Sequence, residues 1–208
     1  QILTDSVTGR WILTADGRPQ ATPERERLGS FQPDYLVGLN NTFTYKNFRL
    51  NFLIDGRFGG QVYAGTEAAM IGSGNHKETL QYREGGVVVD GLIKQDDETF
   101  IDNTQTITAQ QYWGAMSGIG ENYIMDQTNV RLREFSLTYS FPSSILGNSI
   151  VKGASISLIG RNLFFIYKGF DGGFDPEANL GTSNQGQGIL YYSMPTARSL
   201  GFNLNVKF

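Results

Sequence analysis

The stretch SLGFNLNVKF, residues 199–208, carries the clearest pattern in this chain of 208 residues. Every second residue in it is apolar, and the residues between them are small, polar or charged. The apolar set is Leu200, Phe202, Leu204, Val206 and Phe208. Because successive side chains of a β-strand point to opposite faces, this spacing predicts a strand with one apolar face and one polar face.

The same alternation occurs in residues 35–45 and 48–58, which are separated only by Lys46 and Asn47. It predicts a hairpin of two strands of about 11 residues, close to the ~9–11 that a tilted strand needs to cross a bilayer and about twice the ~5–6 of an ordinary strand. In the second strand we expect one set of side chains to face lipid and the other to face away from it. These sets are Phe48, Leu50, Phe52 and Ile54 against Arg49, Asn51 and Asp55.

Two further strands are predicted in residues 130–141 and 153–165. In the first of them, the apolar series that begins at Phe135 occupies odd-numbered positions, whereas Val130 and Leu132 occupy even-numbered positions. This switch predicts a β-bulge near Arg133. Helical spacing is scarce, and only residues 66–70 and 108–116 are short helix candidates.

The composition excludes several classes of protein. Lys and Arg number 17 against 20 Asp and Glu, so the formal charge of −3 argues against a nucleic-acid partner. There are 0 Cys and 1 His, which removes thiolate zinc sites, Cys nucleophiles and most triads. The sequence shows neither a nucleophile motif nor a pair of inward carboxylates, so we expect no enzyme activity and no cofactor.

The connections between the predicted strands alternate in length. Residues 46–47 and 142–148 form short connections, whereas residues 59–123 and 167–194 form long ones. Outer-membrane barrels have short periplasmic turns and long extracellular loops. Five strands cannot close such a barrel, and a bilayer tolerates no open sheet edge. The sequence therefore predicts an all-β fold: about five long antiparallel strands of a larger transmembrane β-barrel.

Several motifs, in order along the chain, resemble the SusC/RagA family of TonB-dependent outer-membrane transporters. The resemblance covers most of residues 31–208, and residues 1–30 and 60–122 match only loosely. The motifs are PDY at 33–35, GLNNTFTYKNF at 38–48, VRLREFSLTYSFP at 130–142, GRNLF at 160–164 and DPE at 175–177.

This resemblance implies that residues 1–208 are the C-terminal portion of a bacterial outer-membrane barrel of 22 strands with a plugged lumen. It implies four partners: the rest of the barrel with its plug, a SusD-like surface lipoprotein, the TonB complex reached through an N-terminal part, and membrane lipid. The imported substrate would be an oligosaccharide or a peptide. Residues 1–30, 59–123 and 167–194 would be extracellular, and the C-terminus would be periplasmic.

Three kinds of site residue are predicted. The apolar series Phe202, Leu204, Val206 and Phe208 looks like the insertion signal of outer-membrane barrels. Trp113 could stack on a sugar ring, or it could pack a loop or join an aromatic girdle. Arg161 could bind substrate in the lumen, or it could belong to a charge network of the barrel wall.

Two groups of charged residues have open roles. Arg131, Arg133 and Glu134 are expected to form a wall network that faces the plug. The acidic residues Asp171, Asp175 and Glu177 could donate oxygens to a cation, although they lack EF-hand spacing, or they could be solvated or internally capped.

The alternative to a transporter segment is a soluble carbohydrate-binding β-sandwich, which the many aromatic and Gly residues would also suit. It predicts strands of ~5–6 residues with turns every ~8–12 residues. The strand lengths in the structure decide between these two folds.

Overall fold

The structure, a computed structural model, describes residues 1–147, 150–170, 173–181, 183 and 186–208. No helix in these described ranges has the length and apolar character to cross a membrane. The chain divides into two compact units. The sheet unit comprises Phe31–Gln61, Asp126–Ala178 and Met194–Phe208, and the mixed unit comprises Gln1–Ser30, Val62–Met125 and Asn179–Ser193.

Strands dominate the described residues, with a few short helices among them. The strands are β1 Ile12–Leu13, β2 Tyr35–Tyr45, β3 Phe48–Phe58, β4 Gln61–Tyr63, β5 Val87–Val88, β6 Leu92–Lys94, β7 Phe100–Asp102, β8 Thr106–Ile107, β9 Ile124–Asp126, β10 Asn129–Ser140, β11 Gly153–Lys168 and β12 Ser199–Lys207. The α-helices are α1 Gly65–Gly72, α2 Ala109–Ser117 and α3 Ser143–Leu146, and two 3₁₀ turns span Lys77–Leu80 and Gly120–Tyr123.

The sheet unit contains one antiparallel sheet with the strand order β12-β11-β10-β3-β2. Its strands have 11, 11, 12, 16 and 9 residues in chain order. The prediction of about five long antiparallel strands is confirmed, and β11 runs three residues beyond its predicted end, to Lys168. The strand lengths contradict the sandwich alternative. The sheet is open, since within the described residues β2 and β12 each pair along one side only.

The register places the apolar faces of all five strands on the same side of the sheet. One row across it pairs Phe43 with Leu50, Leu50 with Leu137, Leu137 with Leu158 and Leu158 with Phe202. Directly paired residues of an antiparallel sheet share a face. The alternation that is visible in each strand therefore adds up to one continuous apolar surface.

A β-bulge interrupts β10 at the predicted position. The register shifts between Leu132 and Glu134 on both the β3 side and the β11 side, and Arg133 is the additional residue. On the facing strand, Asn162 has a positive φ of 49°. The bulge changes the parity of β10, and this keeps Leu132 and Phe135 on the apolar face.

Positive φ angles occur in both short connections of the sheet unit. Lys46 has a φ of 51° at the β2–β3 turn. The predicted turn at residues 142–148 contains α3, and Gly147 ends it with a φ of 58°. Asn148, the last residue of that predicted turn, lies outside the described residues.

The mixed unit is formed by three segments that correspond closely to the regions predicted as long loops. These regions are not only loops. They contain the helices α1 and α2 and three small sheets, β1-β6-β7, β5-β8 and β4-β9. The two short helix candidates of the sequence are thus confirmed. Two apolar cores hold this unit together. One contains Leu13, Val89, Ile93 and Ile107, and the other contains Ala64, Ala68, Ile71 and Tyr123.

Helix α2 has a capping box at its start. The Thr108 hydroxyl accepts a hydrogen bond from the Gln111 N–H, and the Gln111 side chain accepts one from the Thr108 N–H. These two bonds satisfy backbone donors that the first turn of a helix leaves unpaired. The cap fixes the start of the helix that carries Trp113.

Candidate functional site

The apolar face of the sheet is largely exposed. Phe202 is 81% exposed and Leu204 is 60% exposed, and Phe52 is half-buried. A soluble protein rarely leaves a contiguous apolar surface of this extent uncovered. The face therefore suits contact with lipid. The predicted insertion residues Phe202, Leu204 and Val206 lie on this face of β12, and Phe208 follows the strand; their signalling role stays a prediction.

The opposite face carries polar contacts between strands. The Asn51 amide donates to Asn40 Oδ1 at 3.1 Å and to Thr42 Oγ1 at 2.9 Å. The hydroxyls of Thr138 and Ser157 lie 2.8 Å apart. Polar side chains that bridge neighbouring strands suit a face in contact with water or with other polar groups of the protein.

A network of five charged side chains lies at one end of this polar face. Arg131 donates to Asp175 at 2.8 Å and to Glu177 at 3.2 Å. Arg133 donates to Asp55 at 2.5 Å and to Glu177 at 2.8 Å. Asp175 and Glu177 lie in the connection between β11 and β12, whereas the other three residues lie on β3 and β10. The network therefore joins Asp175 and Glu177 of that connection to the sheet.

Arg131 and Asp175 form the buried centre of this network, with side chains only 3% and 4% exposed. The Arg131 guanidinium also lies 3.8 Å from the centre of the Phe165 ring and donates to the Thr196 hydroxyl at 2.6 Å. The Thr196 hydroxyl in turn donates to Asp175. Buried charges need such complete pairing, because an unpaired charge in the interior is costly.

These contacts determine the ionisation of Asp175. Burial alone would raise the pKa of its carboxyl group. Hydrogen bonds from Thr196, Arg131 and the Glu177 N–H outweigh burial and lower the pKa below the usual 3.8. The carboxylate is thus the form that the network favours, and protonation weakens the network.

We expect the connection between β11 and β12 to loosen in acid. A carboxyl group whose native pKa is lowered stabilises the folded state fully above the ordinary pKa of 3.8, and this contribution is lost as the pH falls through the lower native value. The check is limited proteolysis with an acid-active protease. The rate of cleavage within residues 169–198 is measured as the pH is lowered through 3.8. Asp175→Asn should reduce the pH dependence, and equal dependence in the variant would contradict the assignment.

The predicted wall network is correct in part. The structure joins Arg131 and Arg133, but Glu134 faces Arg161 instead, with Arg161 Nε 3.6 Å from Glu134 Oε1. Both side chains are exposed, Arg161 by 64%. This arrangement favours the wall pair over a substrate contact for Arg161, whose binding role stays a prediction.

Asp175 and Glu177 are the partners of the two arginines. Their carboxylates are occupied by ion pairs, and the described residues contain no group of three or more His, Cys, Asp or Glu side chains suited to a metal. The third acidic residue of the cation hypothesis, Asp171, lies outside the described residues. Internal pairing, rather than cation binding, accounts for Asp175 and Glu177.

Trp113 belongs to an aromatic cluster in the mixed unit. Its ring meets the Tyr112 ring edge-on at 4.9 Å and is roughly parallel to Tyr82 at 6.3 Å. The indole N–H donates to the Gln81 carbonyl at 3.3 Å. The ring also lines a cleft of about 600 Å³ with Thr79, Arg83 and Gln110 among its other walls. Trp113 is thus placed where it could contact a ligand, and its stacking role stays a prediction.

Comparison with known proteins gives no matching family model. TonB-dependent receptors P3 and P26 of Formosa agariphila are each 28% identical to this chain, over 96% and 90% of it. The chain spans only 19% and 18% of the lengths of these relatives.

Solved structures of similar fold include the RagAB peptide importer. Its closed-closed state matches with a TM-score of 0.57 and 18% identity, over 94% of this chain and 20% of that one. Its open-open state matches with a TM-score of 0.52 and 17% identity, over 86% of this chain and 17% of that one. These matches confirm the resemblance found in the sequence: the chain is similar to a segment of TonB-dependent receptors, and its fold is similar to that of part of the RagAB importer.

Proposed function

We propose that this chain forms part of the wall and surface loops of an outer-membrane transporter that imports nutrients with energy supplied through TonB. The observation that carries the proposal is the five-stranded sheet, with one continuous exposed apolar face and one polar, ion-paired face. A bilayer requires this division in a barrel wall. The sequence similarity to TonB-dependent receptors supports the same function.

The partner that we propose is a SusD-like surface lipoprotein, and the substrate is an oligosaccharide or a peptide. The structurally similar RagAB protein is a peptide importer, which supports import as the activity and is compatible with both substrate classes. The relatives are named as receptors and an importer, which supports a role in binding and transport rather than in catalysis.

The experiment that tests this function is uptake by cells. The gene that encodes the full protein is deleted, and growth on single glycans and on peptides is compared with that of the parent and of a strain lacking TonB. We expect the deletion strain to lose growth on one substrate class, and the TonB-deficient strain to lose it too. Uptake that is unchanged in both strains would contradict the proposal.

The topology that we propose places the mixed unit on the cell surface. If β12 runs towards the periplasm, the connection between β11 and β12 is external, α3 lies at a periplasmic turn, and residues 59–123 are external again. The β2–β3 turn is then periplasmic, and residues 1–30 are external.

Protease treatment of intact cells checks this topology. Cleavage sites inserted at Asp96-Asp97, in the exposed turn between β6 and β7, should be cut without opening the outer membrane. Sites inserted at the β2–β3 turn should be cut only after it is opened. The reverse pattern would show that the topology is inverted. Protection at Asp96-Asp97 that requires the lipoprotein would locate the partner contact.

Phe208 is expected to matter more for assembly than for stability. Phe208→Asp should lower the outer-membrane level of the protein several-fold, because insertion machinery would read the apolar series of β12, whereas barrels that do form should unfold almost as the parent does. Immunoblots of outer-membrane fractions and unfolding of the purified barrel measure the two quantities. Phe208→Leu is the matched control, and an unchanged level of Phe208→Asp would leave Phe208 as an ordinary lipid-facing residue.

A further inference from the structure

Glu67 of helix α1 carries a buried carboxyl group with one unpaired oxygen. The side chain is only 16% exposed, and Oε2 is buried without a hydrogen-bond partner among the residues that the structure describes. The other oxygen, Oε1, lies 3.9 Å from His76 Nε2, which is too far for a hydrogen bond. A buried carboxylate that lacks partners is costly, whereas the protonated, neutral group is much less so.

His76 is the single histidine of the chain, and its side chain is 17% exposed. Its Nδ1 accepts a hydrogen bond of 3.4 Å from the Glu78 N–H and so caps the 3₁₀ turn Lys77–Leu80. A ring nitrogen that accepts carries no proton, so the ring that makes this cap is the neutral imidazole with its proton on Nε2. The capped form of the turn therefore places no positive charge beside Glu67.

The other titratable groups around Glu67 come from the turn and from the elements packed against α1. The Glu78 carboxylate is a like charge, with Oε2 4.0 Å from His76 Nδ1. Lys77 is exposed and takes part in none of the ion pairs of the described residues. Helix α1 packs against α2 and the turn at residues 120–123, and β4 packs on the same core. The titratable side chains of these three elements are Tyr63, Tyr112, Glu121 and Tyr123.

None of these four side chains is a cationic partner. Glu121 is an acid that accepts a hydrogen bond from the Ile2 N–H. Tyr123 is 3% exposed and donates to the Met116 carbonyl at 3.2 Å, and burial raises its pKa to about 12. Tyrosine side chains are neutral at physiological pH. The Glu67 carboxylate, when it forms, is thus buried among neutral and acidic groups.

Burial is the main cause that raises the pKa of the Glu67 carboxyl group above its usual 4.5. The Glu78 carboxylate adds to the increase, and the His76 ring opposes it when it is charged. A group whose native pKa is raised stabilises the folded state fully below its ordinary pKa, and this contribution is lost as the pH rises through the native value. The packing around Glu67 is thus expected to weaken as the pH rises above 4.5.

The segment that contacts Glu67 also forms one wall of the cleft of about 600 Å³ that Trp113 lines. Residues 71–74 and Thr79 belong to this wall. The His76 N–H donates to the Met70 carbonyl at 3.2 Å and attaches the wall to the end of α1. The position of the segment therefore determines the outline of the cleft.

From this geometry we infer that Glu67 is a proton-operated lock on residues 73–80. With its carboxyl group protonated, the segment stays packed against α1 and the cleft keeps its outline. With the carboxylate, the buried charge drives local opening of the segment, so the cleft changes with pH. The inference concerns the mixed unit alone and does not rest on the proposed transport function.

Hydrogen–deuterium exchange of the full transporter in detergent tests the lock. Protection factors, which remove the intrinsic effect of pH on exchange, are measured by mass spectrometry for peptides covering residues 70–80, from about pH 5 to about pH 8. We expect protection to fall by at least about threefold over this range as the pH rises, because the Glu67 carboxylate favours opening. Constant protection, or protection that increases with pH, would overturn the proposal.

Glu67→Gln is the variant that removes the charge and keeps the shape of the side chain. Its protection should be high throughout the range and should vary much less than in the parent. Glu84→Gln is the matched control, because Glu84 lies in the same unit, is exposed and forms no ion pair in the described part of the chain. It should keep the pH dependence of the parent. A dependence as large in Glu67→Gln as in Glu84→Gln would overturn the assignment.

His76→Asn separates the carboxyl group from the imidazole. Asn is a good N-cap residue, so the turn should be kept. Histidine side chains titrate within the same pH range, so their contribution has to be tested directly. We expect the dependence to persist in His76→Asn and to disappear in Glu67→Gln. The reverse result would assign the effect to the imidazole and overturn the role of Glu67.

Discussion

Arg131→Met is expected to lower the free energy of unfolding of the assembled barrel by about 3–5 kcal/mol. The variant leaves Asp175 buried, with a side chain only 4% exposed, and without its ion-pair partner. It also removes the donor to Glu177 and to the Thr196 hydroxyl. Urea unfolding in detergent, followed by far-ultraviolet circular dichroism, measures the change.

Arg161→Met is the matched control for this prediction. Arg161 lies on the neighbouring strand β11 and pairs with Glu134, but both side chains are exposed to solvent in the structure. Exposed pairs contribute about 1 kcal/mol or less. Equal losses in the two variants would show that burial of the Arg131 network does not govern its energy.

Phe52→Arg is expected to cost about 2–4 kcal/mol in a bilayer if residue 52 lies near the midplane. Phe52 lies on the apolar face of β3, opposite Phe135 of β10 and Asn41 of β2. A charge there would face hydrocarbon. Reversible unfolding from lipid vesicles measures the cost.

The adjacent residue provides the control for that variant. Asn51 lies on the same strand as Phe52 and at nearly the same depth, but on the opposite face, where it contacts Asn40 and Thr42. Asn51→Arg is therefore the matched control. Its cost should be no more than about 1 kcal/mol, because only exposed hydrogen bonds are lost. A larger cost for Asn51→Arg than for Phe52→Arg would mean that the faces are assigned the wrong way round.

The sheet could be predicted from the sequence because its determinants are local. A period of two in β12 or in the β2–β3 hairpin reports directly on which face each side chain occupies. The bulge at Arg133 was visible for the same reason, as a change of parity within β10.

The ion-pair network could be predicted only in part, because its partners are distant along the chain. Arg131 and Asp175 are 44 residues apart, and no spacing rule links the wall strand to the connection after β11. The sequence predicted one network of Arg131, Arg133 and Glu134, but Glu134 pairs with Arg161. Arg133 pairs with Asp55 and Glu177 instead. Spacing alone could not show this.

The mixed unit was the least predictable part of the fold. Its strands have only two or three residues, too few to show a period, and its three segments meet only after folding. One local signal was available: Thr108 and Gln111 have capping-box spacing at the start of α2. The strained backbone of Tyr82, whose φ is 64°, by contrast leaves no trace in the sequence.

The central claim is that one face of this sheet lies against lipid, and β12 allows its most direct test. Single nitroxide labels at residues 200–206 are introduced into the full transporter in lipid vesicles, and their accessibility to oxygen and to a water-soluble nickel complex is measured. We predict a period of two, with oxygen contact highest at Leu200, Phe202, Leu204 and Val206 and nickel contact highest at Gly201, Asn203 and Asn205. Accessibility without alternation, or with the opposite phase, would contradict the account.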